Sequence, residues 1–311
     1  MRFINAFYYL IVLLFLVWCA ITFRTDIGQI QFAPVWAARD AVFVAALLSL
    51  FNYALRAIRW SVYLAGMGYS VPLRFAGLTY LAGFAFTLSP GKVGEMIRGK
   101  YYQKIGIPFS STAAAFFVER LLDLLVMVAL GLLAFAALNE YHTLIWGVAG
   151  VIAGVLAVLA IVPWDKVSGW LAQTARIPKA FVQPLANILR TLFVAGGLLR
   201  PRLLILGFLL GLVGWGAEGF GLMVIGAISP SVPIDWATAT GIYAVGIIVG
   251  ALSFLPGGIG STEAVMIALL AAHGYTMPDA MLLTLVFRLL TLWLAIAIGW
   301  GAVIVIGRNS T

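Results

Sequence analysis

Apolar residues run along this chain in long blocks, and charges collect in the short gaps between them. Blocks at about 7–23, 41–64, 112–137, 144–162, 203–228 and 279–306 match the roughly 20 residues an α-helix needs to cross about 30 Å of hydrocarbon. Their apolar character is continuous, not alternating, which predicts helices and not the strands of a membrane barrel. Two further apolar segments, about 73–106 and 236–275, are broken at mid-course by Ser89-Pro90-Gly91 and by Leu255-Pro256-Gly257-Gly258. A break frees backbone N–H and C=O groups that lipid cannot satisfy, so each such segment must rest against protein or line a wet cavity. Each is expected to be a re-entrant helical hairpin. The expected fold is all-α and polytopic, with about six transmembrane helices plus two re-entrant hairpins.

Superposing the two breaks aligns Leu-Ser-Pro-Gly-Lys-Val-Gly-Glu at 88–95 with Leu-Pro-Gly-Gly-Ile-Gly-Ser-Thr-Glu at 255–263. The spacing from Glu95 to Arg120 equals that from Glu263 to Arg288, 25 residues, and Phe117–Leu124 then faces Val286–Leu292. Upstream, Tyr69–Pro72 resembles Pro230–Pro233. This reads as an internal duplication. The whole of 1–311 is one membrane domain on this reading: an anchor helix in 1–40, a first repeat in 41–137, a connecting helix and amphipathic segment in 138–202, and a second repeat in 203–306. Counting spans makes the second repeat inverted, a recurrent build of transporters.

Hydrophobic residues make up 63% of the chain and charged ones 10%, far from a soluble domain. The net charge of +8 does not point to nucleic acid, because the basic residues sit beside apolar spans, where orientation and lipid headgroups account for them. With the N-terminus in the cytoplasm, all but four of the 19 lysines and arginines fall on the inner side or near its interface, Arg56, Arg59 and Arg98 among them. Both termini are then expected to be cytoplasmic, in a bacterial inner membrane. The stretch 164–200, with Lys166, Arg176, Lys179 and Arg190 among large apolar residues, suits amphipathic helices on a membrane face or a plain cytoplasmic connector. Cys19 is the single cysteine, and His142 and His273 have no companion ligands at metal spacing, so no metal, cofactor or His-based catalysis is expected.

A charged side chain at membrane depth costs at least about 2.5–3.5 kcal/mol and therefore needs a partner or a cavity. Glu95, Glu119, Asp123, Glu218 and Glu263 are the acids at that depth, and Arg120 and Arg288 the bases. Glu119 and Asp123 share a helix face, and Arg120 can fold onto Asp123. Each break leads into a short helix whose free N–H groups favour a phosphate, with Gly91, Gly94, Gly257, Gly258 and Gly260 permitting close approach. Lys92, Arg98 and Lys100 add donors beside the first break. The competing reading is that Glu95, Glu263, Arg120 and Arg288 only neutralise one another and pin the hairpins.

At the breaks and at Phe-Val-Glu-Arg-Leu-Leu-Asp-Leu, 117–124, the sequence resembles the membrane domain of bacterial lysyl-phosphatidylglycerol synthases, from about residue 40 to 306. The matching positions are Pro90, Gly91, Gly94, Glu95, Arg98, Glu119, Arg120, Asp123, Pro256, Gly257, Gly258, Gly260 and Glu263. In two-domain members, the resemblance implies, this region flips aminoacylated phosphatidylglycerol while a soluble domain performs the aminoacyl transfer. The chain ends at Thr311, without room for that domain, so a stand-alone member whose lipid need not be aminoacylated is expected.

The resulting expectation is a lipid flippase, not an enzyme, moving a phospholipid or another phosphate-bearing lipid between leaflets. Lys92, Arg98 and Arg120 would hold the phosphate; Glu95, Asp123 and Glu263 would hold a cationic group or exchange protons. The alternative is a membrane-embedded transferase or accessory protein acting on polyprenyl-phosphate or glycolipid substrates. Expected partners are a membrane lipid, a lipid-modifying enzyme or glycosyltransferase, and a second copy of the chain in a homodimer.

Overall fold

The computed structural model describes residues 28–134, 142–163, 166, 191–230 and 232–308. Among them all regular structure is helical. The expected first span, 7–23, and most of the amphipathic stretch lie outside the described residues. In chain order the helices are α1 (Ala33–Ala37), α2 (Arg39–Gly66), α3 (Leu73–Phe84), α4 (Arg98–Gln103), α5 (Phe109–Ala134), α6 (His142–Ile161), α7 (Pro201–Ile225), α8 (Trp236–Leu252), α9 (Ser261–His273), α10 (Met277–Arg288) and α11 (Leu294–Arg308).

Among the described residues, three stretches are long and apolar enough to cross a membrane: Arg39–Gly66, Pro201–Ile228 and Met277–Arg308. The helix α5 is nearly as long, at 26 residues, but carries Glu119, Arg120 and Asp123 near its middle. Helix starts follow local chemistry. Asp235 caps α8 by accepting the Thr238 N–H at 3.0 Å, and that hydrogen bond holds its carboxyl below the usual carboxylate range. Thr276 caps α10, with Pro278 in the first turn.

The most extensive helix pair is α2 on α7. Small residues on α7 meet a polar stripe on α2: Gly207 faces Tyr63, Gly211 faces Arg59 and Gly214 faces Asn52. Without side chains at these positions the backbones approach closely, as membrane helices do where no hydrophobic force pushes them together. In the same manner α11 crosses α3 at Gly299, where an added Cβ would overlap the backbone at Ala85. Between α10 and α11 a π turn, Leu289–Trp293, loosens the helix, and the Tyr53 hydroxyl donates to the carbonyls of Leu290 and Thr291, each at 3.0 Å.

Both expected breaks are present and share one backbone form. Residues Pro90–Ile97 make a tight 3-10 helix with left-handed conformations at Gly91 (φ 58°) and Lys92 (φ 58°). Residues Pro256–Gly258 repeat it, with φ 60° at Gly257 and 70° at Gly258. Two successive left-handed residues reverse the chain, and α9 folds back on α8, with Thr262 against Gly250 and Met266 against Gly246. The two breaks touch each other at the centre of the bundle.

Candidate functional site

The helices α2, α3, α4, α5 and α7 converge on a buried charged cluster. Glu119 and Asp123 lie on one face of α5, and Glu95 comes from the first break. Around them stand Arg56 and Arg59 from α2, Arg98 from the start of α4, and Arg120 from α5. Among the described residues, four guanidinium groups thus face three carboxylates, an excess of one positive charge.

The members are not held alike. Arg98 is fully buried: its guanidinium donates to Glu95 at 2.8 Å and to Glu119 at 3.4 Å, between the rings of Trp60 and Tyr80 at 4.5 and 4.4 Å. Arg59 donates to Asp123 and to Glu119, and Tyr80 donates to Glu119 as well. Trp215 Nε1 donates to Asp123 at 3.0 Å and Thr87 to Glu95 at 2.9 Å. By contrast Arg56 and Arg120 make ion pairs of 3.3 to 4.0 Å, and their Nε and Nη2 atoms have no hydrogen-bond partner among the described residues.

The second break has its own clamp. Arg288 bonds Glu263 through Nε and donates to the Gly257 carbonyl at 2.9 Å, while Glu263 accepts the Gly260 N–H at 2.6 Å. The pairs Glu95–Arg120, at 3.9 Å, and Glu263–Arg288 therefore both close across the equal spacing read in the sequence. Gly94 donates its N–H to the Ser89 hydroxyl, tying the first break to itself. Pro90 and Pro256 each open the 3-10 turn of their break.

A cavity of about 300 Å³ opens where the breaks meet. Lys92, Arg120 and Asp123 line its polar part, and Phe117, Leu124, Leu252 and Phe254 are among its apolar walls. Lys92 reaches it from a left-handed residue, a conformation that costs a residue with a Cβ about 1–2 kcal/mol. A narrower cleft of about 30 Å³ lies beside it, lined by Arg56, Lys92, Glu95, Glu218 and Arg288. Cationic donors beside an apolar wall are the chemistry that receives an amphiphilic anion.

The expected residues are thus brought together in two groups, Glu95–Arg98–Glu119–Arg120–Asp123 and Glu263–Arg288, with Lys92 between them at the cavity and Glu218 in the cleft. One assignment changes in detail. Arg98 does not face the cavity; its donors are spent on Glu95 and Glu119. Arg56 and Arg59, read as interfacial, are 6% and 0% exposed and belong to the cluster. A signal for them exists: Ser49, Asn52, Arg56, Arg59 and Tyr63 recur at three- and four-residue intervals within an apolar span, which is one face of a helix.

An all-helical bundle with spans long enough to cross a bilayer and a charged cavity at its centre defines a polytopic membrane protein. The family model described as the lysylphosphatidylglycerol synthase TM region matches residues 6–299, and the chain belongs to that family, which ties it to lipid handling at the membrane. A comparison with curated proteins finds no match.

Proposed function

We propose that this protein is a flippase that carries a phosphate-bearing lipid between leaflets and does not transform it. The observation that carries this reading is the cavity where the two Pro-Gly breaks meet, with Lys92 and Arg120 at its polar part and apolar walls beside them. A lipid has the same two-part character, an anionic headgroup and a chain that must stay out of water. Of the cations nearby, Arg59 and Arg98 are hydrogen-bonded to carboxylates and do not line the cavity, whereas Arg120 lines it with unbonded donors and Lys92 lines it with no ion-pair partner among the described residues. These two would hold the phosphate, as charge-assisted hydrogen bonds hold an anion best.

In this reading six spanning helices surround two re-entrant hairpins that dip in from opposite faces of a bacterial inner membrane, both termini being cytoplasmic. Inverted halves can exchange roles, so one arrangement opens the cavity to either side in turn. Glu95 and Arg98 would hold the first hairpin and Glu263 and Arg288 the second, while the lipid occupies the space between.

The test is headgroup exposure in vesicles containing the purified protein and nitrobenzoxadiazole-labelled phosphatidylglycerol. Lys92→Gly, which removes the charge and suits the left-handed backbone, and Arg120→Gln should each slow crossing about tenfold or more, the loss of roughly one charge-assisted contact. Wild-type rates in both variants would sink this site.

A further inference from the structure

The arginine cluster leaves one buried acid aside. Glu218, on α7, is 1% exposed and has no ion-pair partner among the described residues. Its two oxygens accept from neutral donors only, Asn52 Nδ2 at 2.9 Å and the Ser49 hydroxyl at 3.0 Å. An ionised carboxylate in that setting is uncompensated, and a buried acid in this position is relieved either by a proton or by an approaching cation.

Both remedies are within reach. The cleft that Glu218 lines has room for about one water, a route for a proton. The titratable and charged groups facing that cleft are Tyr53 and Arg56 from α2, Lys92 and Glu95 from the first break, Tyr243 from α8 and Arg288 from α10. Among the cations, Arg288 is engaged by Glu263 and the Gly257 carbonyl. Lys92 has no ion-pair partner among the described residues and is assigned to the lipid phosphate; of the two arginines Arg56 is the loosely held one, its pairs being long, 3.8 Å to Asp123 and 4.0 Å to Glu119, with two of its three nitrogens lacking a hydrogen-bond partner among the described residues. Its guanidinium rests against the Trp215 ring at 5.1 Å, and Arg56 and Glu218 line the same cleft.

We infer that Glu218 is a proton-binding site, and that loss of its proton to water in the cleft draws Arg56 away from Asp123, loosening the arginine cluster. Proton movement is thereby tied to the opening and closing of the cavity. The coupling rests on the transport reading above; the proton site does not.

Two measurements decide between these parts. In infrared difference spectra of the purified full chain titrated through neutral pH, wild type should show a protonated-carboxyl band that Glu218→Gln lacks. An unchanged band in that variant overturns the proton site. Should Glu218→Gln not fold, Asn52→Ala, which removes one donor to Glu218, must shift the same band, and no shift overturns the site equally. In vesicles with labelled phosphatidylglycerol, a pH gradient should change the wild-type crossing rate severalfold between its two directions, and Glu218→Gln should cross at one rate in both. A gradient response retained in that variant, or missing from wild type, overturns the coupling. A wild type that moves no probe at all sinks the transport reading instead, and the infrared band still judges Glu218.

Discussion

Arginines that look alike in the sequence do different work here because their surroundings differ. Arg98 and Arg59 are buried struts, each engaging two carboxylates. Arg56 and Arg120 pair with carboxylates through nitrogens that make no hydrogen bond among the described residues. The carboxylates are accordingly more costly to remove than any cavity-facing cation. Asp123 touches Arg56, Arg59 and Arg120, so Asp123→Asn leaves buried positive charge uncompensated. It should destabilise by about 3 kcal/mol or more and lower the melting temperature in detergent clearly. Lys92→Gly should do the reverse, raising stability by about 1 kcal/mol as the left-handed strain is relieved while transport is lost. A Lys92→Gly variant that is both less stable and fully active would contradict the assignment of that side chain.

The breaks are the elements on which the site depends, and their two copies offer an internal comparison. An alanine at Gly91 meets nothing closer than 3.6 Å, whereas at Gly257 it meets Leu88 at 3.0 Å and Leu292 at 3.4 Å. Both substitutions carry the strain of φ near 60°, but only the second adds crowding. Gly257→Ala should therefore lower the thermal midpoint more than Gly91→Ala, and equal losses would mean that the packing around the second break is slack. The crossing of α11 over α3 is stricter still. Gly299→Ala forces backbone against backbone at Ala85, and poor expression or a strongly reduced midpoint is the expected outcome. These element-level features were largely legible beforehand. Proline and glycine interrupt an apolar run locally, and the Glu-to-Arg spacing of 25 residues is a property of the string, so the breaks and their Glu–Arg pairs were readable. The π turn after Arg288 was not, because nothing in Leu289–Trp293 departs from ordinary helical composition.

Across the bundle, transport by alternating access requires the two breaks to part. The Phe254 ring lies 3.6 Å from where a Gly91 side chain would begin. With Cys19 replaced by serine, Gly91→Cys with Phe254→Cys joined by a short bifunctional maleimide should stop lipid crossing, while either single variant treated alike should not. Undiminished crossing in the joined protein would show that the breaks stay together throughout. Membrane residence, helical class, the positions of the described long apolar helices within a few residues and the place of both breaks follow from run length and backbone chemistry, which are local and therefore visible in one dimension. The choice of partners is different. Arg59 meets Glu119 and Asp123 across separations of 60 and 64 residues, and Glu218 meets Asn52 across 166. Which cation is spent on a carboxylate and which is left facing the cavity depends on how α2, α5 and α7 cross, and that is settled by the glycines that let those helices close on one another, not by any spacing along the chain.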